Sequence, residues 1–380
     1  MTILSAVLGA GLIAIILGDA FETILLPRRV IRRIRLARLF FRFTWLPWSR
    51  LSRSIVSDRY RETYLSYYGP LSLLLLLSIW AGGLIVGFAL LHFAQASAIH
   101  AAEGYPGFGM DLYLSGTTFF TLGLGDVIPH TPFARFLTVV EAGMGFAFLA
   151  LIIGYLPALN QSFTQREINI SLLDARAGSP PTAAEIFLRH SHDKGLDTLF
   201  QLLHDWERWS AELLEIHLSY PTLAFFRSQH DNQSWLGALT AILDTCALTI
   251  VGVEDACARQ AELTFAMARH AVVDLSIVLS TPPQEPEYDR LPEHVLAHLR
   301  STLSAAGLQL REGKDTDQKL RDLRRMYEPY AYSLAKYLCI TIPPWVSDVK
   351  HKDNWQTSEW RLIPDSHKSD KSDKPGKRHF

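Results

Sequence analysis

The sequence predicts an all-α membrane protein with a helical soluble C-terminal part. Three apolar runs of about 24 residues, a short glycine-bearing stretch between the last two, and 3.6-residue periodicity through the second half carry that prediction. With 380 residues, 48% of them hydrophobic, the chain has room for about two domains, one embedded in lipid. A net charge of −1 conceals an asymmetry: Pro27 to Glu62 holds eleven arginines (28, 29, 32, 33, 35, 38, 42, 50, 53, 59 and 61) against Asp58 and Glu62. Basic loops stay in the cytoplasm, so this segment is expected inside the cell membrane and the N-terminus outside.

The elements follow in order. Residues 1–27 hold a first transmembrane helix over 3–26, about 36 Å long. No basic residue precedes its apolar run, and arginines follow it, so it reads as a retained helix rather than a cleaved leader. Asp19 and Glu22, three apart near its inner end, are expected to pair with linker arginines or to face other helices. The linker, 28–69, mixes arginine with Phe40, Phe41, Phe43, Trp45 and Trp48, a composition suited to an interfacial helix on anionic inner-leaflet lipid. Tethered between two spans, it is not expected to bind nucleic acid.

Residues 70–157 form a second unit: an outer helix over 70–94, an external segment, a short helix over 111–120, an irregular stretch over 121–126, and an inner helix over 133–157. Irregular backbone at membrane depth survives only inside protein or along a water-filled path. The stretch Thr118-Phe119-Phe120-Thr121-Leu122-Gly123-Leu124-Gly125-Asp126 fits TxxTxGxGD, and here the sequence resembles the potassium-channel family, in the TxGLGD form of two-pore-domain channels and their bacterial single-pore relatives.

The resemblance covers 70–157 and implies a selectivity filter in which the carbonyls of Thr121, Leu122, Gly123 and Leu124 replace the hydration shell of K+. It implies that Gly125 and Asp126 close the outer end, with Asp126 pinned to the helix behind. Thr117, Thr118, Tyr113 and Glu141 are expected to support the filter, Glu141 through the pore helix or a hydroxyl such as that of Thr117. Ser115, Pro129, Thr131 and Arg135 also match simple bacterial channels without a gap. Leu124 stands where the family usually carries tyrosine, and Tyr113 where a tryptophan often braces that tyrosine, so a weaker cuff is expected. Gly145 falls at the family's gating hinge, with close packing as the alternative reading. Tyr155, Leu156 and Pro157 are the expected inner gate.

One filter strand cannot ring an ion. The chain holds one copy, so a homotetramer is expected.

Residues 158–345 read as a helical cytosolic domain. Apolar spacing near 3.6 runs through 195–218, 233–280 and 315–339, with breaks at Tyr220-Pro221, Pro282 to Pro286 and Pro343-Pro344, and a helix start after Gly178 to Thr182. No GxGxxG follows the third span, and no jelly-roll strand pattern appears, so the regulatory ligand stays unknown. His190, His192, His204, Asp205 and His217 lack the spacing of a metal site. Cys246, Cys257 and Cys339 are expected as free thiols, and 346–380 as a partly disordered tail. With no GxSxG elbow, P-loop or HExxH pair, neither an enzyme nor a cofactor is expected. The favoured function is a potassium-selective channel gated by an unknown signal. The alternative is a membrane-anchored sensor whose pore-like module does not conduct.

Overall fold

The computed structural model describes residues 2–25, 36–95, 99–101, 107–190, 195–230, 232–252 and 256–347. The arginines at 28, 29, 32, 33 and 35, His192 and the tail from Ser366 lie outside the described residues.

Helix α1 (Thr2–Ala20) ends in a wider π turn over Phe21–Leu25 and packs along α4 (Tyr68–Phe93). The approach is close because the contact is made of glycine: a Cβ at Gly87 would sit 2.6 Å from Ile13, and one at Gly83 2.2 Å from Ile16. Small residues let two apolar helices meet where no hydrophobic force between them exists. Asp19 is buried in this contact and accepts from Trp80 Nε1 at 3.0 Å and from the Ala37 amide at 3.3 Å. It therefore faces other helices, as one of the two expected arrangements had it, and its carboxylate sits at the N-terminal turn of α2 (Leu36–Ser52), where a helix favours negative charge.

The linker holds α2 and α3 (Asp58–Ser66). Its aromatic residues meet protein. Trp45 is buried against Tyr68 and Phe225 and donates to the Tyr337 carbonyl at 2.8 Å, and Phe41 stacks on Phe225. Phe43, Leu46 and Leu51 remain exposed on the other side.

Strand β1 (Ile99–Ala101) pairs antiparallel with β2 (Val127–Pro129), Ile99 opposite Pro129. Helix α5 (Phe108–Phe119) starts three residues earlier than the sequence suggests. Helix α6 departs furthest from expectation. It spans Pro132–Ala177, 46 residues or about 69 Å, and continues through Pro157 instead of ending there. Beyond Pro157 its Ile170, Leu173 and Ala177 are buried among the C-terminal helices, and that burial outweighs the amide bond a proline removes.

The C-terminal part adds α7 (Ala183–Arg189), α8 (Gly195–Ser219), α9 (Trp235–Gly252), α10 (Ala256–Val278), α11 (Glu293–Ala305), α12 (Lys314–Arg325) and α13 (Glu328–Leu338). Breaks fall at the expected prolines, with a 3-10 turn over Pro221–Phe225, but the runs 233–280 and 315–339 are each divided, into α9 and α10 and into α12 and α13. Thr182 caps α7 through the Glu185 amide at 3.2 Å. Among the described residues four helices are long and apolar enough to cross a membrane, but α9 is almost wholly buried inside the bundle, so it is the bundle's core.

Spanning helices and bundle interlock. Arg166 of α6 is fully buried and donates to the carbonyls of Leu223 at 2.8 Å and Phe226 at 3.0 Å, while Leu223 packs among the spanning helices.

Candidate functional site

Helix α5 delivers the stretch 121–126. Its last carbonyls are taken up by that stretch: the Leu122 amide donates to Thr117 O at 2.7 Å and the Thr121 amide to Thr118 O at 2.9 Å. Thr117 turns its hydroxyl back to Tyr113 O and Leu114 O, both at 3.0 Å. Thr118 is buried behind the stretch.

The backbone then alternates. Thr121 has φ +57°, Gly123 +55° and Gly125 +79°, while Leu122 and Leu124 between them are not in the left-handed region. Glycine takes that conformation without a Cβ penalty; Thr121 takes it at a cost. Residues that alternate between the two hands turn successive peptides the same way, so their carbonyls line one side instead of alternating as in a β-strand. All six residues are exposed in the single chain, Leu122 at 62% and Leu124 at 65%.

Two contacts fix the ends. Tyr113 donates to Asp126 Oδ2 at 2.8 Å, and Asp126 Oδ1 accepts from the Val127 amide at 3.1 Å. At the inner end, a Cβ on Gly145 would sit 2.0 Å from the Phe119 carbonyl oxygen, so α6 touches the end of α5 backbone to backbone. Gly145 thus packs closely on α5, and α6 runs unbroken through it. Thr131 caps α6 at Ala134, and Arg135 donates to Pro129 O.

Glu141 differs in one respect from expectation. It is fully buried and faces α5, but its carboxylate lies 3.4 Å from His92 Nε2 and not on Thr117, whose proton is already committed to its own helix. His92 escaped notice in the sequence, although an ionisable residue inside the 70–94 run is itself a signal. Of the three inner-gate candidates, Tyr155 turns inward against Tyr220 with ring centroids 5.7 Å apart, Leu156 is half-buried, and Pro157 is exposed.

In the C-terminal part, His217 lies buried in α8. Burial first, then the Arg166 guanidinium, pushes its imidazole from 6.5 down to about 3, against the pull of the Leu213 carbonyl it bonds. His190 bonds the Ile186 carbonyl in the same way. Among the described residues no group of three or more His, Cys, Asp or Glu side chains is placed to hold a metal. All three cysteines are free.

Residues 79–161 match a family model described as ion channel, a stretch that takes in most of α4, all of α5 and the first two-thirds of α6. The chain is also similar to the uncharacterized membrane protein YdjJ of Bacillus subtilis (strain 168), 27% identical over 188 residues, which is 49% of this chain and 54% of that one. The chain thus spans about half the length of this curated relative. No solved structure matches it. An ion channel domain is present, built from α4, α5, the stretch 121–126 and α6.

Proposed function

We propose that four copies of the chain surround one axis as a potassium-selective channel, with the carbonyls of Thr121, Leu122, Gly123 and Leu124 as the filter. The observation that carries this reading is the alternation of left-handed φ at Thr121, Gly123 and Gly125. A ladder of carbonyls on one side has a use only where an ion must shed water, and a single ladder needs three partners to ring it. The exposure of Leu122 and Leu124 in one copy supports the same arrangement, because neighbouring copies would cover them.

Below the filter, the exposed face of α6 carries Leu149, Ile153 and Pro157, which line the inner vestibule and its gate. The arginine-rich linker and the soluble bundle lie at the same end of the spanning helices, joined through Trp45 and Tyr337, and the linker charge assigns that end to the cytoplasm. Arginines there attract anionic lipid. The bundle is the sensor of the gating signal.

The test is flux through the purified protein in liposomes, potassium against sodium. Potassium flux that survives Gly123→Ala unchanged would contradict the assignment, because alanine at φ +55° strains the ladder.

A further inference from the structure

Behind the stretch 121–126, three helices bring ionisable side chains together inside apolar protein. His92, the penultimate residue of α4, and Glu141, in the third turn of α6, are both fully buried with 3.4 Å between Nε2 and Oε2. From α5 the Ser115 hydroxyl acts on the Glu141 carboxylate and the Asp111 carboxylate acts on His92. Neither nitrogen of His92, neither oxygen of Glu141 nor the Ser115 oxygen has a partner of normal hydrogen-bond geometry. Among the described residues the charged groups at this junction are therefore His92 from α4, Asp111 from α5 and Glu141 from α6. Helix α1, which runs along α4, carries no ionisable side chain before Asp19, and β2 carries none.

Charge counting sets what such a site can do. With one proton between them, His92 and Glu141 together carry no net charge, whether as imidazolium and carboxylate or as the neutral pair. Removing that proton leaves the Glu141 carboxylate without a cation in dry protein beside the Asp111 carboxylate, which is costly, whereas an imidazolium formed by a second proton still has Asp111 near it. The cost is relieved by parting α6 from α4 and α5. Glu141 lies one turn from Gly145 on the same side of α6, and Gly145 rests on the Phe119 carbonyl that leads into the stretch 121–126. Parting the helices at Glu141 therefore moves the base of the ladder.

We infer that His92 and Glu141 form a proton-binding site behind the ladder, and that the single proton they share holds α4, α5 and α6 in the conducting arrangement. This rests on the channel reading above, and His92 and Glu141 act as positioning residues that touch no ion.

The experiment uses the full chain in liposomes, with potassium flux measured from about pH 5 to about pH 9, equal on both sides. Wild-type flux falls about tenfold toward the alkaline end as the shared proton leaves, whereas in Glu141→Gln, which has no carboxylate to expose, that fall is lost. Infrared difference spectra between the two ends of that pH range show, in the wild type, a proton leaving the pair as a carboxyl or an imidazolium band that Glu141→Gln lacks. An alkaline fall in Glu141→Gln equal to the wild type overturns the coupling, and a proton-loss band equal in the two proteins overturns the site. If neither protein conducts, the channel reading fails while the infrared band still decides the proton site. Should Glu141→Gln not assemble, His92→Gln carries the same comparison, with an unchanged pH profile as the overturning result.

Discussion

Tyr113 donates its hydroxyl proton to Asp126 Oδ2 across 2.8 Å, bridging α5 to the outer end of the stretch it delivers. Thirteen residues separate them, and nothing else among the described side chains ties Asp126 to that helix. Tyr113→Phe removes the bridge and leaves the ring. The expected outcome is a protein that folds and conducts but discriminates less between potassium and sodium. A reversal-potential measurement under bi-ionic conditions checks it, and a ratio equal to the wild type would count against a role for the bridge.

Gly145 gives the second prediction. A methyl group there meets backbone rather than a flexible side chain, so neither helix can yield locally. Overpacking of this kind costs about 1–3 kcal/mol. Gly145→Ala is expected to lower the melting temperature and the flux together. A hinge would behave otherwise: open probability would change with the melting temperature intact, and single-channel recording beside a thermal melt separates the two.

The third concerns the bundle. Arg290 is buried between Asp244, at 2.6 Å, and Glu328, at 3.0 Å, over the Trp345 ring, and it also donates to the Pro343 carbonyl. Tyr327 donates to the same Asp244. Glu328 keeps Arg324 at 3.1 Å, so Arg290→Met leaves the buried Asp244 carboxylate with the Tyr327 hydroxyl but no cation, and is expected to cost about 3–5 kcal/mol. Thermal unfolding in detergent measures it, and a shift of less than about 1 kcal/mol would mean that the carboxylates find other partners.

A pH dependence follows from His217. Its imidazole binds a proton near 6.5 in the unfolded chain but only near 3 in the fold, so between these values the unfolded state holds more protons. Stability is complete above 6.5 and declines as pH falls toward 3. His217→Phe should flatten the melting temperature through that window relative to the wild type. The same slope in both proteins would rule out His217 as its source.

The sequence revealed these features unevenly, for physical reasons. Thr121 to Asp126 is legible because a left-handed backbone demands glycine at fixed spacing, and few other structures need that string. The spans are legible because lipid demands long uncharged runs. The full extent of α6 is hidden, since Pro157 followed by Asn160 and Gln161 has the composition of a helix end; the burial that overrides it comes from α7 just after it and from α8 and α9 farther along the chain. Helices α7 and α11 are short and make their stability by packing, and β1 pairs over a distance that no local pattern encodes. The His92 to Glu141 contact spans 49 positions, and only the crossing of α4 and α6 brings it about.

That α6 is a single rod from one face of the protein to the other also sets a rule for phase. Each residue added to a helix turns everything after it by about 100°. One alanine inserted after Leu159 would leave the membrane portion and the bundle each intact, yet swing the Tyr155 ring away from the Tyr220 ring it meets. The two halves are geared, and the gear has no slack to absorb a missing or extra tooth.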